Sequence, residues 1–181
     1  RYGVEKIKTV GDAYMAASGI PYRKPLHALD ATLAALQITR FVAQERAAWA
    51  AHTPARGAGG GWNFRVGIHS GPCISGVLGA GNYMFDVWGD AVTGAAEMER
   101  TATPGRIHVS AETAALLNAT CVLAEGPRVV IPARGGDAVA TYYVERLRPE
   151  YSADAGGIEP NARFHQIYRA SHAPGALNAS M

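Results

Sequence analysis

The run from Trp62 to Arg100, WNFRVGIHSGPCISGVLGAGNYMFDVWGDAVTGAAEMER, constrains this chain more than any other stretch. Phe64 to His69 has strand character, Ser70-Gly71-Pro72 breaks it, and Ile74 to Leu78 reads as its continuation or its hairpin partner. Gly79-Ala80-Gly81-Asn82 makes a loop, and Tyr83 to Val87 is short and apolar enough for a buried strand. Gly89-Asp90 then offers a helix start, because an Asp side chain can accept from the free amides of a first turn. Pro104 and Gly105 stop that helix. Strands, loop and helix converge on one place, and chemistry is expected there.

The flanking segments extend the same alternation. Val4 to Ile7 and Ala13 to Ala17 form a hairpin around Gly11-Asp12, with Lys8 and Asp12 flanking its turn. After Pro25, Leu26, Leu29, Leu33 and Leu36 mark the core-facing stripe of a helix that runs to about Trp49 or Ala51. His52 to Gly61, with Pro54 and four glycines, is a surface connection unable to bury apolar area. Ile107 to Val109 is a strand, Ser110 to Leu117 a short helix, and Val122-Leu123, Val129 to Ile131 and Ala140 to Val144 are short strands. Residues 147–181 show no sustained period and read as an irregular C-terminal tail. The fold class is therefore α/β, an α+β sandwich with mixed or antiparallel pairing rather than a doubly wound parallel sheet.

Composition removes several function classes. The 181 residues carry a formal net charge of +2 with no block of like charges, so nothing marks a nucleic-acid or anionic membrane surface. No apolar run approaches the length of a membrane span. Cys73 and Cys121 make neither a disulfide framework nor a CxxC metal site, which points to a reducing compartment. With no initiating Met and a strand-like run almost at once, the chain reads as a piece of something longer.

Among polar residues, Lys8 and Asp12 lie four apart across a Gly-bearing turn, where a carboxylate could hold a divalent metal and an ammonium a polar ligand edge. A turn-stabilising Asp beside a solvated Lys is the plainer account of that pair alone. Asp86 sits inside Phe85-Asp86-Val87-Trp88, where a buried charge needs a partner or a ligand. Arg65, in an apolar strand, poses the same question and offers a fork of donors suited to phosphate. Gly76, Gly79 and Gly81 lack the GK[ST] ending of a P-loop and are assigned to turn geometry. His27, His69 and His108 are scattered and read as structural; Cys73, Met15 and Met84 read as core or near-core packing.

Together, VEKIKTVGDAYMAASGIP (4–21), FRVGIHSGPCISGVLG (64–79), FDVWGDAV (85–92) and PGRIHVSAET (104–113) resemble the class III nucleotidyl cyclase catalytic domain. The resemblance covers about residues 1–146 and implies a sandwich around a ferredoxin-like βαββαβ core, with catalytic sites between two domains in a head-to-tail dimer. It implies cyclisation of ATP to cyclic AMP and pyrophosphate with two Mg2+ or Mn2+ ions. Of the two metal-binding aspartates, the second matches Asp12; the first belongs to an opening strand of the form F-x-D-[IV]-x-G-F-T, absent from this sequence. Lys8 and Asp86 match the pair that reads the adenine edge, where guanylyl cyclases typically carry Glu and Cys, so ATP is favoured over GTP. Arg65 matches an arginine on the triphosphate, and Arg134 falls where the family has a lysine on the terminal phosphates, within a degraded form of that motif.

One departure is chemical. Where the family continues V-N-x-A-S-R, this chain places Thr93 at the Asn that orients the ribose and Glu97 at the Arg that stabilises charge on the α-phosphate. The resemblance therefore implies a metal-bearing half of a heterodimer whose partner cyclase domain supplies Asn and Arg, with Asp12 and Arg65 in the productive site and Lys8, Asp86, Thr93 and Glu97 lining a degenerate second one, or a homodimer of low or unusual activity in which Thr93 does part of the Asn's work. The alternative is a weak or inactive nucleotide-binding regulatory domain. The implied setting is cytoplasmic, with no nucleic-acid partner and no membrane contact from this segment.

Overall fold

The computed structural model describes residues 2–52, 64–131 and 136–171. Strands β1 (Val4–Val10) and β2 (Ala13–Ser18) form the expected hairpin, followed by helix α1 (His27–His52). Strands β3 (Val66–Ile68), β4 (Ile74–Leu78) and β5 (Met84–Trp88) lead into α2 (Asp90–Arg100). Then come β6 (Ile107–Ser110), α3 (Ala111–Leu117), β7 (Cys121–Glu125), β8 (Val129–Val130), β9 (Ala138–Val139), β10 (Thr141–Leu147) and α4 (Ala162–Ser171).

The central sheet has the order β3-β6-β10-β7, with β3 and β6 parallel and the other pairs antiparallel. Side chains alternate across a strand, and the buried β6 uses both faces. Ile107 and Val109 join the core made by Leu29, Leu33 and Leu36 of α1 and Leu117 of α3. His108 turns to the other face, where its Nδ1 lies 2.9 Å from the Met98 carbonyl of α2 and its Nε2 2.7 Å from Thr141 Oγ1. Gly67 of β3 permits the close approach of α2, since a Cβ there would lie 2.0 Å from the Glu99 amide nitrogen. The fold is the mixed α/β sandwich expected, with helices on both faces.

Burial lowers the His108 pKa. A proton is thus taken up more readily by the unfolded chain than by the folded one. Stability from this site is complete above the ordinary value of 6.5 and is lost as pH falls through the lower folded value. Melting temperature is expected to fall as pH drops below 6.5, and His108→Gln to flatten that dependence; an unchanged slope in the variant counts against this assignment.

Four local expectations are corrected. Ile74–Leu78 neither continues β3 nor pairs with it, because β3 lies against β6 in the four-stranded sheet while β4 pairs with β5. Residues 83–87 do not make a buried strand: β5 pairs with β4 as a hairpin outside the four-stranded sheet, leaving Tyr83 and Met84 largely exposed and burying only Asp86 and Val87. Asp90 is not the cap of α2; Gly89 takes that position without a side-chain bond, and Asp90 is the first helical residue, where its charge suits the helix dipole. The tail is not irregular throughout. Asn161 Oδ1 accepts from the Phe164 amide at the start of α4, and Phe164, 3% exposed, enters the main core with Tyr151, Ile158 and Tyr168 packed against it. Within the β4–β5 turn Gly79 has φ 128°, and a Cβ there would meet the Asn82 carbonyl at 2.0 Å, which accords with turn geometry.

Candidate nucleotide site

Asp86 finds its partner across 78 residues of sequence: Lys8 Nζ donates to Asp86 Oδ2 at 2.7 Å. The other carboxylate oxygen accepts from the Val87 amide at 2.8 Å. A register shift between Lys6 and Lys8 marks a bulge in β1, a device that redirects side chains. The bond to Lys8, followed by that from the Val87 amide, holds the Asp86 carboxyl below its ordinary pKa against the opposing effect of burial. The pair joins the β1–β2 and β4–β5 hairpins, which share no strand pairing among the described residues. It presents an ammonium donor beside a carboxylate acceptor.

The other sequence-derived residues fall around this pair in different ways. Asp12 is exposed at the tip of the β1–β2 turn, beyond the strand that carries Lys8. Thr93 and Glu97 lie one turn apart on α2, Thr93 exposed and Glu97 partly covered. The Glu97 carboxylate is not bare: Arg100 Nη2 lies 2.9 Å from its Oε2. That pairing was missed from sequence, although the i,i+3 spacing was a usable signal. Arg65 is not brought to Lys8 and Asp86; it pairs at 2.7 Å with Glu99, near the C-terminal end of α2 and away from the end joined to β5. Arg134 lies outside the described residues.

The histidines behave as expected, His69 Nδ1 lying 2.7 Å from Ser110 Oγ and His27 Nδ1 3.0 Å from the Lys24 carbonyl. Cys73 and Met84, expected to pack in or near the core, are exposed, and Met15 is half-buried. Both hairpins leave apolar side chains in solvent, including Val10 (60% exposed), Tyr14 (60%), Ile74 (72%) and Val77 (61%).

The family model for the adenylate and guanylate cyclase catalytic domain matches residues 1–146. The chain belongs to that family. It is 34% identical over 163 residues to an adenylate cyclase of Mycobacterium tuberculosis, a match covering 88% of this chain and 34% of that protein. It is 42% identical over 120 residues to human guanylyl cyclase C, covering 66% of this chain and 10% of the relative. The chain thus spans about a third of the mycobacterial relative and about a tenth of the human one. Among solved structures, the guanylate cyclase domain of RhGC from Catenaria anguillulae in complex with GTP superposes with TM-score 0.67 at 32% identity, over 82% of this chain and 75% of that one. The catalytic core of a rhodopsin-guanylyl cyclase with converted specificity, in complex with ATPαS, gives 0.64 at 34%, over 80% and 72%.

Relatives of this cyclase domain thus include both adenylate and guanylyl cyclases. No helix among the described residues is long and apolar enough to cross a membrane. The Mg2+ or Mn2+ ions that the family implies need several oxygen ligands each. Asp12 suits them as one exposed carboxylate, but among the described residues no three His, Cys, Asp or Glu side chains come together to hold a metal. The described residues offer a contribution to such a site, not a complete one.

Proposed function

We propose that this cyclase domain converts ATP to cyclic AMP and pyrophosphate at an interface with a second cyclase domain. The observation that carries the choice of ATP is the Lys8–Asp86 pair. Adenine offers a ring-nitrogen acceptor beside an exocyclic amine donor, matching an ammonium and a carboxylate. Guanine reverses both, with a protonated ring nitrogen beside a carbonyl oxygen. Polar sites discriminate strongly by such matching, because the wrong base leaves desolvated groups unpaired.

In the reaction, the 3′-hydroxyl oxygen bonds to the α-phosphorus, the bond to the pyrophosphate oxygen breaks, and the hydroxyl proton is lost. Two bound ions would neutralise phosphate charge and favour the attacking alkoxide. Asp12 is the ligand this chain contributes. Lys8 and Asp86 orient the base, Arg65 is assigned to the triphosphate of a site shared with the partner, and Arg134 to the terminal phosphates. The separation of Arg65 from Lys8 and Asp86 favours a shared site, in which one chain's phosphate-side groups meet the other's base-reading pair. The exposed apolar residues of the two hairpins favour the same arrangement, since patches of this kind mark interfaces. In a homodimer each site takes Asp12 and Arg65 from one chain and Lys8 and Asp86 from the other; with a partner bearing Asn and Arg at the positions of Thr93 and Glu97, Asp12 and Arg65 serve the productive site and Lys8, Asp86, Thr93 and Glu97 line the second one.

The test is turnover of ATP and GTP by the full-length protein with Mg2+ or Mn2+, alone and mixed with a cyclase domain bearing that Asn and Arg. Activity confined to the mixture supports a heterodimer, activity alone a homodimer. Thr93→Asn with Glu97→Arg is expected to raise kcat of the unmixed protein at least roughly tenfold, as charge stabilisation at a phosphate predicts; a flat response counts against this account of α2. The second reading, nucleotide binding for regulation without turnover, is favoured by the Glu97–Arg100 pair, which sets a carboxylate where a free cation is wanted. ATP binding without product, whether the protein is alone or mixed, supports it.

A further inference from the structure

The hairpin that carries Lys8 and Asp12 belongs to no larger sheet among the described residues. Its orientation rests on side-chain contacts, Lys8–Asp86 along β1 and a cluster at its open end. At the centre of that cluster is Asp30, in the first turn of α1 and fully buried. Ser18 Oγ, on the last residue of β2, donates to Asp30 Oδ2 at 3.3 Å. Tyr168 Oη, on α4, donates to Asp30 Oδ1 at 2.5 Å. Beside them Lys24 Nζ donates to the Gly3 carbonyl at 2.9 Å, tying down the chain just before β1.

Tyr168 lies beyond residues 1–146, the part matched by the family model. Its segment is nonetheless built into the domain. Phe164 is in the core, and Glu159 Oε1 accepts from Gln37 at 3.1 Å and Arg40 at 3.2 Å on α1. Two hydroxyls from opposite ends of the chain therefore converge on one buried carboxylate. A buried carboxylate is costly when it lacks donors, so loss of either bond loosens the other side's anchorage.

We propose that Asp30 and Tyr168 are positioning residues for nucleotide binding, holding the open end of the β1–β2 hairpin so that Lys8 stays in place against Asp86. This rests on the base-reading role given to Lys8 above. Helix α4 thereby acts on the site through α1 and β2, without approaching the nucleotide itself.

The test uses the full-length protein and Tyr168→Phe, which removes one hydroxyl and keeps the ring that packs on Phe164. Amide hydrogen exchange in peptides covering residues 4–18 is expected to quicken about tenfold, the low end for losing a hydrogen bond to a charged group. KM for ATP is expected to rise roughly fivefold with kcat held within about twofold, the pattern of lost binding rather than lost chemistry. Ser18→Ala is expected to do the same from the hairpin side, and the double variant to fall short of the sum, because both act through Asp30. Glu159→Gln, which loosens the same segment from α1 elsewhere, is expected to leave residues 4–18 unchanged.

Exchange in residues 4–18 that is unmoved by Tyr168→Phe overturns the proposal, whatever happens to α4 or the melting temperature. So does strict additivity of the two single variants. If the unmutated protein makes no cyclic nucleotide, alone or mixed, the catalytic function fails, and hairpin exchange together with ATP affinity still decides this inference.

Discussion

Lys8→Glu combined with Asp86→Cys is expected to turn nucleotide preference from ATP toward GTP, moving the ratio of kcat/KM values by roughly a hundredfold, well inside the range available to hydrogen-bond matching. The pair to be exchanged is in contact at 2.7 Å, so each residue sets the electrostatics of the other. Changing Lys8→Glu alone would set two carboxylates face to face and remove the main cause of the lowered Asp86 pKa. That single variant is expected to lose activity with both nucleotides, whereas the double variant removes the repulsion along with the adenine match. Steady-state kinetics with both nucleotides checks it, and an unmoved ratio would remove Lys8 and Asp86 from base recognition.

Acid should act on the same contact. With its folded pKa depressed, Asp86 contributes stability that is complete above the ordinary carboxylate value of 3.8 and is lost as pH falls through the lower folded value. The pair is therefore intact throughout the neutral range in which turnover would be assayed.

Asp12→Asn is expected to lower turnover on the order of a thousandfold, as removal of one charged ligand from a two-metal site requires. The residue is exposed at the tip of a turn with no packing to lose, so the melting temperature should hold. ATP affinity measured without metal should also hold, because Lys8 and Asp86 are untouched. That combination separates a metal ligand from a turn-stabilising Asp, whose loss would appear as a shift in melting temperature with turnover preserved. Full activity in the variant refutes the assignment.

Much of the fold was legible because it is encoded locally. Leu29, Leu33 and Leu36 marked the buried face of α1, which Leu26 precedes, and the Gly11-Asp12 turn marked the first hairpin. The short runs around Ile107 and Val144 marked two strands, which the structure pairs at the centre of the sheet. Helix α4 was not legible, because Ala162–Ser171 carries few apolar side chains and its helix depends on Phe164 finding the α1 core. Asp30 was passed over for a related reason. It adjoins the leucine stripe, and the two hydroxyls that satisfy it come from 12 and 138 residues away.

The candidate site divides in the same way. Its residue types and their spacing are properties of the sequence: the acidic turn at Asp12, the charge within Phe85-Asp86-Val87-Trp88, and Thr93 with Glu97 on one helix face. Which charges meet is a property of the tertiary structure. Lys8 with Asp86, Arg65 with Glu99 and Tyr168 with Asp30 are separated by 78, 34 and 138 residues. Periodicity and turn chemistry act over a few residues, so they determine which elements form and which faces are apolar. Contacts at those separations follow from sheet order and hairpin placement, which only the packed core decides.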